Sequence, residues 1–251
     1  MAEEKKEFKF PTETVDLPSG GKFYPKDHPL ASGKIEVKYM TAKEEDILTS
    51  RNLIKKGIVI DRLLSSLIVT ENINVLDMLV GDKNAVMVAS RILAYGPEYT
   101  CEVTNPKTGN IFEHTFNLAD CPFKKVSKDI DGNEFEFKLP ISKKTITFKI
   151  LTGKEEKLID ADLKGSAKLG TQISPELTTR LRHTITSVDG DNDKNKISIL
   201  ADNMLARDSM ALRNEISRVA PDIELQQEIE LEGESVKVDI PMTANFFWPS
   251  T

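Results

Sequence analysis

A chain of 251 residues, 39% hydrophobic and 29% charged, has the composition of a soluble globular protein, long enough for one large domain or two small ones. A net charge of −6 argues against a binder that tracks nucleic-acid phosphates, and no apolar run approaches the ~20 residues that span a bilayer. Two cysteines, Cys101 and Cys121, make no disulfide framework, and the acidic start Met1–Glu7 is unlike a signal peptide, so a reducing cytoplasm is the default.

Residues 1–32 read as an extended arm. Pro11, Pro18, Pro25 and Pro29, with Ser19-Gly20-Gly21 between them, exclude a long helix. Yet Phe8, Phe10, Leu17, Phe23 and Tyr24 are too apolar for a free tail. Either the arm packs along its own domain or Phe8, Phe10, Phe23 and Tyr24 dock on a neighbouring subunit. From Gly33 an alternating strand places Ile35, Val37 and Tyr39 on one face. Thr41 then precedes Glu44 by three residues, the spacing of a capping box. One helix is expected from about Ala42 to Lys56, ending near Gly57, and a second carries the stripe Ile60, Leu63, Leu64, Leu67 and Ile68. A short helical turn over Val75 to Leu79 leads to a further helix N-capped by Asp82, with Ala85, Val86, Ala89, Ile92 and Leu93 buried and Gly96-Pro97 as its stop. Tyr99, Cys101 and Val103 then pair with Ile111 to Leu118 across the turn Asn105–Gly109. Phe112, His114, Phe116 and Leu118 share a face of the returning strand.

Residues 124–143 form a connector with a small hairpin turning at Asp131-Gly132-Asn133. At Lys144 the opening pattern returns as K-T-I-T-F-K-I-L-T-G-K-E-E-K-L. Ile146, Phe148 and Ile150 repeat the buried face, Thr152 and Glu155 repeat the box, and Pro140 answers Pro29. The helix from Thr152 is expected to break near Gly165 and Gly170 and to restart at Ser174-Pro175-Glu176. A stripe of Leu177, Leu181, Ile185 and Val188 continues it, and a polar loop follows over Asp189 to Asn195. Asp208 and Ala211 match Asp82 and Ala85, Ser217-Arg218-Val219 matches Ser90-Arg91-Ile92, and Pro221 matches Pro97. The closing hairpin turns at Glu232-Gly233-Glu234, with Val236, Val238 and Ile240 inward. The expected fold is α+β. It comprises an arm (1–32), a first unit (33–123), a connector (124–143) and a second unit (144–251) that duplicates the first.

Searching these residues for chemistry yields little. Asp189, Asp191 and Asp193 alternate like a calcium loop, but Lys194 and Leu200 stand where its Gly and Glu belong. Thr152-Gly153-Lys154 lacks the earlier glycine of a phosphate loop. Cys101, His114 and Cys121 contain no close ligand pair of the kind tetrahedral zinc uses. His28, His114 and His183 fall in three unrelated settings, and no nucleophile motif appears. The expectation is a non-enzyme without cofactor or metal. The tail Phe246-Phe247-Trp248-Pro249 holds three adjacent aromatics that cannot all face one side of a strand. Phe246, Phe247 and Trp248 are therefore candidate anchors for another subunit; the alternative is a tail that folds back on its own second unit.

The arm motif P-S-G-G-K-F-Y-P (Pro18–Pro25) and K-Y-M-T-A-K-E-E-D-I-L-T (Lys38–Thr49) resemble the T-even-type myovirus baseplate hub assembly proteins. Asn52–Ile68, Gly81–Leu93 and the terminal F-F-W-P add to the likeness. The resemblance implies a non-enzymatic phage tail baseplate protein, structural or assembly-assisting. It would act in a hetero-oligomeric assembly with other baseplate proteins, without nucleic acid or membrane, in the host cytoplasm and then the virion tail. The second hypothesis is a soluble chaperone or binding module for tail proteins that is absent from the mature virion.

Overall fold

The computed structural model describes residues 10–168, 174–231, 233–242 and 244–247. Within them the chain is α+β, with helices set around small antiparallel sheets. Strand β1 (Thr12–Asp16) pairs with β2 (Lys34–Lys38), so the arm supplies a strand of its own. Ile35 and Val37 are fully buried, as the alternation requires. The helix expected over Ala42 to Lys56 is two helices, α1 (Ala42–Thr49) and α2 (Arg51–Lys56). Ser50 between them is extended (ψ 103°), and α2 buries no side chain that could hold it in line with α1. Helix α3 (Val59–Leu67) buries Leu63, Leu64 and Leu67 completely. A 3₁₀ turn (Val75–Asp77) leads into α4 (Val80–Tyr95), which is capped by Leu79 rather than by Asp82. Strands β3 (Glu98–Thr104) and β4 (Ile111–Asn117) close the first half as a hairpin, with Cys101 opposite His114.

The connector departs from expectation. Its hairpin turns through Pro140–Lys143, between β5 (Phe135–Lys138) and β6 (Thr145–Phe148). Asp131–Asn133 does other work: the Gly132 amide donates to the Lys22 carbonyl at 2.7 Å, and the Asn133 amide group bonds the Ile150 backbone in both directions at 2.8 Å. Helix α5 (Gly153–Lys168) passes through Gly165 without a break; Gly170 lies outside the described residues. Helix α6 (Glu176–Thr184) is capped by Pro175, not Ser174. The stripe expected to run on as helix becomes β7 (Ile185–Val188), which pairs with β6. Two β-branched residues at its ends gain more from the sheet than from another helical turn, and Leu177 is left 44% exposed. The loop over Asp189–Asn195 is shorter than expected, because α7 (Lys194–Asp202) starts inside it with Asp193 as N-cap. Helix α8 (Ala206–Val219) and the hairpin β8 (Gln226–Leu231) and β9 (Glu234–Asp239) end the chain's second half.

Both halves thus contain paired strands, a capped helix, further helices, a long helix and a hairpin, but in the second the first sheet gains a third strand, β7. One hydrophobic cluster extends through them. They meet at a joint made by backbone. The Val80 amide donates to the Leu151 carbonyl at 3.2 Å, and the Gly153 amide donates to the Met78 carbonyl at 3.0 Å. Such an approach leaves no room for side chains. A Cβ on Gly153 would stand 3.1 Å from the Leu76 Cα, and one on Gly81 only 1.8 Å from the Pro221 carbonyl oxygen. Lys157 with Asp61 and Lys154 with Asp77 flank the joint as ion pairs.

Two glycine substitutions separate close approach from simple flexibility. Gly81→Ala should lower stability by about 1–3 kcal/mol through overpacking. Gly165→Ala, in a helix interior with nothing within 4 Å, should raise it by about 0.5–1 kcal/mol. Urea unfolding of the two variants checks both signs.

Candidate interaction surfaces

The arm is fixed by one buried acid. Asp82, in the first turn of α4, accepts from the Ser19 amide at 2.9 Å, the Ser19 hydroxyl at 2.7 Å and the Tyr24 hydroxyl at 2.7 Å. The Tyr24 oxygen in turn accepts from the Leu79 amide at 2.9 Å. Burial pushes the carboxyl above its usual range, a nearby Asp222 adds to the rise, and the donors from Ser19 and Tyr24 oppose it. The phenol of Tyr24 is likewise pushed up by burial and by Asp82. Asp208 holds the equivalent place in α8 and accepts from the Ile141 and Ser142 amides at 2.7 and 3.0 Å. There burial is outweighed by those amides, and the carboxyl is lowered.

The first capping box forms in full and the second in part, each with an extra tie from a lysine before the helix. The Thr41 amide donates to Glu44 at 3.0 Å, the hydroxyl donates to the same carboxylate at 2.5 Å, and Lys38 and Ser66 donate to its other oxygen at 2.9 and 2.7 Å. At the second box the Thr152 amide donates to Glu155 at 2.9 Å, and Lys149 stands where Lys38 did, at 2.6 Å. The Thr152 hydroxyl accepts from the Lys154 amide rather than from that of Glu155, a one-residue departure from expectation. Burial would raise both carboxyls, but the lysine and threonine donors prevail and lower each to about 2.

Of the residues expected to reach a partner, four pack inside this chain. Phe23 and Tyr24 are buried, and the Phe23 ring lies 5.9 Å from Phe135 of β5, which itself stacks on Phe148. Phe246 and Phe247 are also buried. The tail does fold back, but onto the first half rather than the second. Phe246 meets Tyr99 edge-on at 5.1 Å, and its carbonyl accepts from Arg91 Nε at 2.9 Å. The same guanidinium donates to the Gly96 and Glu98 carbonyls. A 3₁₀ turn (Ala244–Phe247) lets two consecutive rings enter one core, which strand geometry forbids. Phe10 is 40% exposed beneath the Lys38 ammonium. Phe8 and Trp248 lie outside the described residues.

The exposed apolar surface that the sequence reading missed lies on the second half. Ile199 (64% exposed) and Leu205 (50%) border a cleft of about 570 Å³ that also takes in Val188, Met204 and Asp208. In the first half Tyr24 stands beside Leu79 and Asp82. In the second half the connector between β5 and β6 is too short to supply such a ring, and the cleft opens beside Leu205 and Asp208. The signal was available: Met204-Leu205 repeats Met78-Leu79, and the sequence between the two strands is much shorter the second time.

The rejected constellations have structural duties. Asp191 accepts from the Asp193 amide and pairs with Lys196, and Asp193 caps α7. His114 packs against Phe116 at 4.6 Å, and the Cys121 sulfur accepts from Gln227. Among the described residues no group of three His, Cys, Asp or Glu side chains is placed to hold a metal ion.

Two measurements test these assignments. Carboxyls lowered in the fold contribute stability above their unfolded value near 4.5 that is lost as pH falls towards 2. The double variant Glu44→Gln, Glu155→Gln should therefore show a flatter fall in urea midpoint across that window than the wild type. Phe246→Ala should cost about 3–5 kcal/mol in thermal or urea unfolding, because the ring is core and not surface.

Comparison with known proteins agrees with a tail-associated lineage. No curated protein and no solved structure matches the chain. A family model described as T4 bacteriophage base plate protein matches residues 10–248, nearly the whole chain, so the protein belongs to the T4 bacteriophage base plate family.

Proposed function

We infer that this baseplate protein is a non-enzymatic part of the baseplate hub, structural or assembly-assisting, acting through contacts with other tail proteins in a hetero-oligomeric assembly. It would work in the host cytoplasm while tails assemble, without nucleic acid. The family match from residue 10 to 248 carries this reading. Support comes from the use of the shifted groups. Asp82 secures the arm, Glu44 and Glu155 secure helix starts, and Arg91 secures the tail, so each is committed to the fold. The recurring order of elements, with paired capping boxes and paired Asp82 and Asp208, supports a duplicated unit. Superposing 33–123 on 144–248 tests that part, and unrelated topologies would overturn it.

The functional test is a phage lacking this gene, complemented in trans. Tails should fail to form without it. Stoichiometric peptides in purified virions favour a retained part; their absence, with failed tails, favours a chaperone. Normal tails without the protein would overturn both. Variants His114→Ala, Cys101→Ala and Cys121→Ala should all complement, and a folded variant among them that fails would argue for chemistry.

A further inference from the structure

The joint between the halves uses one end of each half and leaves the other two ends open. On its receiving side is Met78-Leu79-Val80-Gly81-Asp82, and the second half contains the same pattern as Met204-Leu205-Ala206-Arg207-Asp208. The two leucines share one backbone conformation, φ −58° and ψ 146° against φ −61° and ψ 140°, and each caps a long helix. Both aspartates are buried and both grip a strand connector. On the inserting side is Leu151-Thr152-Gly153-Lys154-Glu155, and the first half contains it as Met40-Thr41-Ala42-Lys43-Glu44, with the same box and the same lysine tie. Leu79 is covered by its corner and 1% exposed; Leu205 is 50% exposed. At the other open end Ala42 and Lys43 are exposed.

We propose that a second copy of this chain docks head to tail, laying its Met40-Thr41-Ala42 corner on Met204-Leu205-Ala206. The internal joint specifies the pairing: the Ala206 amide donates to the Met40 carbonyl of the second copy, and that copy's Ala42 amide donates to the Met204 carbonyl. The flanking ion pairs do not carry over: Lys43 replaces Lys154 but Asn203 stands in place of Asp77, and Asp46 replaces Lys157. Ile199, in the same cleft as Leu205, adds exposed apolar area beside the corner.

The outer joint is looser than the inner one. Ala42 stands in place of Gly153 and Arg207 in place of Gly81, the two positions where a Cβ would crowd the backbone. The contact made by Gly81 on Pro221 cannot be repeated, so only the corner pairing carries over. Because the two surfaces differ, the contact is heterologous and grows to a closed ring or an open row rather than stopping at a pair. The inference stands on the joint and not on the baseplate role.

Sedimentation of the full chain over a wide concentration series tests it. The mean mass should rise above that of a monomer and continue past two copies. Leu205→Glu should weaken association at least about tenfold while leaving the melting temperature unchanged, since Leu205 is half exposed. Ala42→Gly should tighten it, because it restores the glycine of the inner joint. A monomer at every concentration in both the wild type and Ala42→Gly would overturn the proposal. So would a dimer that stops at two and is indifferent to Leu205→Glu.

Discussion

Two backbones that touch without side chains between them determine how the rest of this molecule is arranged. Where Val80 meets Leu151 and Gly153 meets Met78, a Cβ on Gly153 would already crowd the Leu76 backbone. Once that contact is made, Lys154 and Lys157 come within reach of Asp77 and Asp61. Phe23 reaches across to Phe135 in the same assembly of halves. Hydrogen bonds alone would add modestly here, about 1 kcal/mol each. Their importance is geometric, because they fix the angle at which two apolar faces merge into one core.

The same local device serves different loads in the two halves. A strand ends in a lysine that reaches a glutamate in the first turn of the next helix, and the long helix offers an aspartate to the connector between two strands. In the first half that connector is long, and Asp82 must hold a serine and a tyrosine within apolar surroundings beside Asp222. In the second it is a tight turn whose two amides satisfy Asp208 directly. Opposite shifts of the two carboxyls follow: burial prevails at Asp82, and the two amides prevail at Asp208.

Much of this was legible in the sequence. Alternation gave β2 and β6, the Thr-x-x-Glu spacing gave the first box in full and the second in part, and the stripe at Leu63, Leu64 and Leu67 gave α3. Signals of local origin were read correctly because local geometry produces them. Failures came where distant parts of the chain decide. Asp82 looks like an N-cap in isolation, and nothing near it announces the Ser19 and Tyr24 that occupy its oxygens. Ile185 to Val188 continues a helical stripe on paper but has an open strand edge waiting in β6. For the aromatics of the arm and tail the outward and inward readings both stayed open, because their apolarity is visible while their partners, Phe135 and Tyr99, lie far away in sequence. The open leucine at 205 was missed because it differs from the covered one at 79 only in what lies across from it.

Arg91 gives the fold an order in time. Its guanidinium, 4% exposed, is satisfied by three carbonyls, one of which belongs to Phe246, 155 residues further along. During synthesis the first half leaves the ribosome with that charge short of a partner and Tyr99 short of its ring contact. Domains ordinarily fold as they emerge, N-terminal first. Here the first half can gather its helices early but cannot seal its hairpin until the last few residues are free. A product truncated before Phe246 therefore lacks both the carbonyl that Arg91 holds and the ring that meets Tyr99.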